Sequence, residues 1–292
     1  MKDLLPIHDV ITQVQEAITV EKRAVIVAPP GAGKTTIVPL KLMNNPNING
    51  QIIILEPRRL AARAAASQMA AILNERIGET VGFQIKGLSK VSKQTRIVVM
   101  TEGILIRMIQ SDPSLSKVGC IIFDEFHERS INADLGLALS LQLAEILRSD
   151  LRILVMSATL DVGSVSDLLD TKAPIISDGR AYHVNCKYLS RPKSKNDRLW
   201  ESFSELVSDA FKMTEGGILA FLPGEAEIRA TEKLLKEKLP NTAIIMPLYG
   251  SLPFEQQNKI LEPLKNETLR KVVLSTSIAE TSLTISGIKV VV

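Results

Sequence analysis

Residues 28–36 read APPGAGKTT, directly after the β-branched run AVIVA (24–28) and directly before the helical pattern TTIVPLKLM. A glycine-rich turn between a strand and a helix N-terminus points a row of backbone N–H groups at one spot, where phosphate oxygens fit. Gly31 and Gly33 let the backbone curl, and Pro30, Ala32 and Thr36 complete the loop. Lys34 has the reach to bridge β- and γ-phosphates, and the Thr35 hydroxyl suits Mg²⁺. Ala28 stands where such loops usually begin with glycine. These residues predict a site for a nucleoside triphosphate, ATP or another NTP, with its magnesium ion.

A second reactive group sits in IIFDEFHERS, residues 121–130. A buried apolar strand there ends in two carboxylates, at the sheet edge where doubly wound folds hold ligands. Asp124 suits Mg²⁺, directly or through water, with Glu125 beside it. Glu125 also suits the general base that accepts a proton from an attacking water. Strand ends often carry solvated acids, so the pair gains its meaning from the phosphate loop upstream.

The elements that must position these residues follow from hydrophobic pattern. Apolar runs at 24–28, 51–55, 96–100, 119–124, 151–157 and 173–177 alternate with amphipathic stretches such as 60–73 and 131–148. Unbroken apolar strands separated by helices predict a parallel sheet covered on both faces. The pattern stalls over the polar, basic segment 177–198, then resumes at 218–222, 243–247, 271–275 and 287–292. The expectation is two α/β domains, 1–178 and 196–292, joined by a linker at 179–195. The second offers fewer strands, and the sequence stops inside one, so it reads as an incomplete domain of a longer chain.

DEFH with its flanking ERS resembles the DEAH-box superfamily-two helicases, Phe126 replacing the usual alanine. Further segments fall in the family's order: EPRRLAAR (56–63) as motif Ia, TEGIL (101–105) as Ib and SAT (157–159) as III. ILAFLPGEAEI (218–228) is similar to motif IV and LSTSIAETSLTI (274–285) to motif V. With LYGSLPFEQQ (248–257), the set most resembles the bacterial HrpB-type branch. The resemblance implies two RecA-like domains with the nucleotide between them, and Mg²⁺-dependent NTP hydrolysis stimulated by single-stranded nucleic acid, RNA favoured over DNA.

It also implies roles at matching positions. Arg58, Arg59, Thr101, Glu102 and Gly103 would line the first domain's nucleic-acid face, and Thr276 that of the second. Ser157 and Thr159 would link nucleotide state to domain motion, and His127 would couple the nucleotide site to the second domain. Without the resemblance, Arg58 and Arg59 would read as surface charge at a helix N-terminus. Arginine is disfavoured at that positive end, and a bound anion explains it better. The family's arginine-rich motif VI would follow motif V and does not occur in these residues, so strong hydrolysis by this chain is not expected.

The net charge of +3 is too mild to argue for nucleic acid by itself. No run of eighteen apolar residues exists, so no membrane helix is predicted. Cys120 and Cys186 are far apart and lack metal-ligand spacing, which reads as two inert thiols in a reducing, cytoplasmic setting; a monomer is expected. Two rivals remain in view. A small-molecule P-loop kinase leaves motifs Ia, Ib, IV and V unexplained. A non-catalytic nucleic-acid-binding module switched by nucleotide is the alternative for this chain.

Overall fold

The computed structural model describes residues 5–159, 162–179, 183–188, 198–280 and 284–292. The chain divides into two compact units, Met1–Tyr182 and His183–Val292. Of the expected linker, residues 180–182 and 189–195 lie outside the described residues.

The first unit opens with a short 3-10 turn, Pro6–Asp9, then α1 (Ile11–Val20), β1 (Arg23–Val27), α2 (Lys34–Leu42), β2 (Gln51–Glu56) and α3 (Arg59–Ile72). It continues through β3 (Val81–Ile85), β4 (Leu88–Lys90), β5 (Ile97–Thr101), α4 (Glu102–Ser111), β6 (Val118–Phe123) and α5 (Ile131–Ile146). It closes with β7 (Arg152–Ser157), α6 (Gly163–Leu168) and β8 (Ile175–Ile176). The sheet order is β4-β3-β5-β2-β6-β7-β1-β8. Every pairing is parallel except β3 with β4.

Alternation along β2 shows why its pattern is continuous rather than period-two. Ile52 and Ile54 enter a core shared with Val14, Val38 and Met69, whereas Ile53 and Leu55 enter a second core with Leu105, Leu137 and Val165. Both faces of the strand are covered, so both sets of side chains are apolar.

The hairpin of β3 and β4 was not expected. Gly82 and Gln84 interrupt the apolar run of β3, so its composition is weak. Its signal is the Lys86–Gly87 turn, where Gly87 takes φ +83°. At Gly82, a Cβ would stand 2.4 Å from the Lys90 carbonyl oxygen, so the close approach of β4 requires glycine. The strand expected at 173–177 shrinks to two residues.

The second unit contains α7 (Leu199–Met213), β9 (Gly217–Phe221), α8 (Glu225–Lys238), β10 (Ala243–Leu248), α9 (Phe254–Leu261), β11 (Arg270–Ser275) and β12 (Ile288–Val291). Its sheet order is β10-β11-β9-β12, all parallel. Buried Lys271 sends its Nζ to the carbonyls of Ile260, at 2.7 Å, and Glu262. A cation there satisfies the C-terminal end of α9, where carbonyls lack helical partners.

Candidate nucleotide site and nucleic-acid face

The phosphate loop leaves the C-terminal end of β1. Its first N–H, from Ala28, bonds the Ser157 carbonyl at 3.0 Å, tying the loop to the end of β7. Gly31 and Gly33 take φ +79° and +93°, and Gly33 caps α2. A Cβ on Gly33 would also approach Leu5 Cδ1 to 2.8 Å. Side chains are therefore excluded by conformation and by space, and the following N–H groups keep their common direction. Ala32 is buried, and the Thr36 hydroxyl reaches back to the Gly33 carbonyl at 3.5 Å.

Lys34 and Thr35 meet the two carboxylates that follow β6. Lys34 Nζ donates to Glu125 Oε1 at 3.0 Å, the side chains being 4% and 9% exposed. Thr35 Oγ1 donates to Asp124 Oδ2 at 2.5 Å, and Asp124 Oδ1 accepts the Glu125 N–H at 2.8 Å. Glu125 takes φ +49°, an unusual conformation for a residue with a side chain. Phe126, at the usual alanine position, is buried and meets Phe123 edge-on at 6.1 Å, anchoring the turn.

His127 joins this group to the segment after β7. Its Nδ1 accepts the Ala158 N–H at 3.2 Å, while Glu125 Oε2 lies 3.5 Å from the same nitrogen. With its lone pair engaged by the Ala158 N–H, Nδ1 makes no hydrogen bond to Glu125 in this arrangement. Ser157 Oγ accepts the Thr159 N–H and donates to the Thr159 carbonyl, both at 3.2 Å, closing the turn that presents Ala158.

A third carboxylate, Glu56, escaped the sequence reading. Leu55 of β2 pairs with Phe123 of β6, so Glu56 and Asp124 leave adjacent strands side by side. Glu56 is 1% exposed and its Oε2 has no hydrogen-bond partner. Burial, then the charges of Asp124 and Glu125 and a hydrogen bond with Asp124, push its carboxyl well above the usual range; Lys34 opposes them. Asp124 is raised to about 6, by burial first and then by Glu125, against Lys34 and the bonds from Thr35 and the Glu125 N–H. A glutamate before proline reads as an ordinary strand end, and only the sheet order reveals its neighbours.

Three carboxylates around one ammonium leave excess negative charge, and all the converging atoms are hard oxygen donors. That donor set fits magnesium, which is held by one or two side chains together with water and phosphate oxygens. Among the described residues, no group of three or more His, Cys, Asp or Glu is arranged to hold an ion unaided.

The residues expected to touch nucleic acid leave the same edge of the first sheet. Arg58 caps α3 just beyond β2, with exposed Arg59 next. Thr101 ends β5, and half-buried Glu102 and Gly103 begin α4. Glu102 accepts the Ser130 hydroxyl, and burial raises its carboxyl. The β3–β4 turn adds exposed Lys86 to this edge, since Gln84 pairs with Met100. Thr276 lies in the second unit, at the C-terminal end of β11, its N–H bonded to the Leu248 carbonyl at 3.2 Å.

A parallel sheet with a phosphate loop at one strand end and an Asp-Glu pair at a nearby one defines a P-loop NTPase architecture. The DEAD/DEAH box helicase family matches residues 9–168, and the helicase conserved C-terminal domain matches 195–292. The chain belongs to the DEAD/DEAH box helicase family, with two RecA-like domains of the DEAH, HrpB-like kind. It is 44% identical to the ATP-dependent RNA helicase HrpB of Escherichia coli over 99% of its length and 35% of that protein's. The ATP-dependent RNA helicase HrpA homolog of Haemophilus influenzae is 37% identical over 99% of the chain and 22% of its own length. The crystal structure of the Escherichia coli DEAH/RHA helicase HrpB superposes with a TM-score of 0.90, covering 98% of this chain and 36% of that one, at 44% identity. The chain thus spans about a third, or less, of these relatives. Among the described residues, no helix is long and apolar enough to cross a membrane.

Proposed function

We propose that the chain binds ATP or another NTP with Mg²⁺ at the phosphate loop and belongs to a protein that couples hydrolysis to movement along single-stranded RNA. The observation that carries this reading is the pairing of Lys34 with Glu125 and of Thr35 with Asp124. Two groups suited to phosphate and magnesium are already aligned with the two acids suited to magnesium and water. The ATP-dependent RNA helicase names of the relatives support RNA over DNA.

In this scheme the triphosphate draws Lys34 from Glu125, leaving Glu125 as a base of ordinary reach. Water attacks the γ-phosphorus as the bond to the β–γ bridging oxygen breaks, and the water's proton passes to Glu125. Thr35, Asp124 and Glu125 offer the oxygens for Mg²⁺, which neutralises developing phosphate charge. His127, Ser157 and Thr159 carry the change at Glu125 to the segment after β7, and Thr276 contributes strand contact from the second unit.

Turnover by these 292 residues alone is expected to be slow. An arginine acting on the γ-phosphate contributes on the order of 10³–10⁵ in rate, and the two arginines of the second unit nearest motifs IV and V are otherwise engaged. Arg270 begins β11, about 20 Å of strand from Thr276, with bonds to the Gly216 and Phe211 carbonyls and its guanidinium 4.0 Å over the Phe211 ring. Arg229 is held by the Tyr249 hydroxyl, Glu225 and Glu232. Buried Cys120, its thiol pushed up to about 12 by burial, supports the reading of an inert thiol; a monomeric, cytoplasmic protein is part of the same proposal.

Phosphate release measured with and without single-stranded RNA tests the proposal. A slow rate raised by RNA and removed by Glu125→Gln is the expected result. Absence of turnover, with RNA affinity that still changes between ADP and ATP states, would mark the nucleotide-switched binding module instead. Absence of nucleotide binding refutes both.

A further inference from the structure

The hydrolysis scheme makes no use of Glu128, three residues beyond the general base. Its Oε2 lies 3.5 Å from Arg58 Nη2, the side chains being 18% and 26% exposed. Its Oε1 is buried and accepts no hydrogen bond. A buried oxygen left without a donor is costly, and arginine and carboxylate prefer two parallel bonds to one long contact. Glu128 therefore meets Arg58 through one long contact and keeps an oxygen to spare.

The turn between Glu125 and Glu128 is built to transmit motion. The Glu128 N–H bonds the Glu125 carbonyl at 2.9 Å, and the Arg129 N–H bonds that of Phe126 at 3.2 Å. Residues with positive φ, Glu125 at +49° and Arg129 at +48°, bracket it. Glu125, with ψ +36°, sits in the narrow left-handed well and Arg129, with ψ +107°, lies outside it; buried Phe126 fixes the turn to the core. A change in how Glu125 is held is therefore not absorbed within the turn. It arrives at Glu128 and at Ser130, whose hydroxyl donates to Glu102 and accepts the Ala133 N–H.

We propose that Glu128 is a positioning residue that couples nucleotide state to strand affinity, by trading Arg58 between its own carboxylate and a phosphate of the bound strand. The proposal rests on the function argued above. When the turn brings Glu128 fully onto Arg58, the strand loses a cation; when the turn draws away, the cation returns. By linkage, the strand must then alter nucleotide affinity by the same factor.

The test is the affinity of a short fluorescent oligouridylate for the intact chain with Mg·ADP and with a Mg-bound non-hydrolysable ATP analogue. The wild-type chain should bind with a ratio of at least about fivefold between the two states. Glu128→Gln should bring that ratio to within about twofold of one, while Mg·ADP affinity without RNA stays at the wild-type value. RNA affinity without nucleotide should be unchanged or higher, because the Glu128 carboxylate no longer competes with a phosphate for Arg58; a merely structural role predicts a loss. Glu128→Asp keeps the charge but withdraws it by one methylene, and should collapse the ratio in the same way if the glutamine variant fails to fold. A wild-type ratio of one, or a glutamine or aspartate variant that keeps the wild-type ratio, overturns the coupling alone. A wild-type chain that binds no RNA overturns the functional reading and the coupling with it.

Discussion

Lys34 and Glu125 face each other at 3.0 Å, although ninety-one positions separate them in sequence. The last turn of the phosphate loop and the strand end two places away in the sheet hold them there, and both are nearly excluded from water. A buried ion pair of this kind is poor proof of stability, because desolvation offsets much of its attraction. Its placement between a phosphate-seeking ammonium and a water-seeking carboxylate is better explained by chemistry.

Glu125→Gln should keep Mg·ATP binding and lose turnover. The amide preserves size and one acceptor oxygen but has no basicity, so the rate should fall on the order of 10²–10⁴. Binding by fluorescence and phosphate release on the same preparation check this. Turnover within a few-fold of wild type would place the base elsewhere.

Glu56 and Asp124 give a pH dependence whose sign is fixed. Both carboxyls are raised in the folded chain, so the folded state holds more protons than the unfolded state above the ordinary carboxylate range. Their contribution is most favourable at low pH and is lost as pH rises through the folded values, about 6 for Asp124. Glu56→Gln removes the penalty at Glu56 and should raise the melting temperature at pH 7.5 by more than at pH 4.5, by about 2–4 °C per kcal/mol relieved. A melting temperature lowered at pH 7.5 would contradict the assignment.

The phosphate loop and the Asp-Glu pair were legible because their chemistry demands particular residues: glycines for φ, one lysine, two acids after an apolar run. The buried strands were legible because both faces of β2, β6 and β7 are covered. Glu56 was not, since its meaning depends on β2 lying beside β6. Nor was the β3–β4 hairpin, where Gly82 serves a close backbone contact rather than a pattern. The inward turn of Glu102 toward Ser130 likewise joins residues 28 positions apart.

Arg58→Ala and Arg59→Ala should each weaken binding of single-stranded RNA about equally for different sequences. Each should reduce the slope of log affinity against log salt by about one. Titrations of oligouridylate and oligoadenylate at several salt concentrations measure both quantities. An unchanged slope and affinity would show that the two arginines are surface charge alone.

Calorimetric titration of Mg·ADP into the wild-type chain and into Lys34→Ala tests the central claim most directly. Removing the ammonium leaves Glu125 buried without its cation, so the nucleotide-free variant should melt lower than wild type while remaining folded. The account predicts clear heats for the wild-type chain and affinity at least about 100-fold weaker for the variant, the loss expected when a desolvated charge partner worth about 3 kcal/mol is removed. Equal ADP affinity in a folded Lys34→Ala chain would contradict it, because the nucleotide would then be bound somewhere other than the phosphate loop.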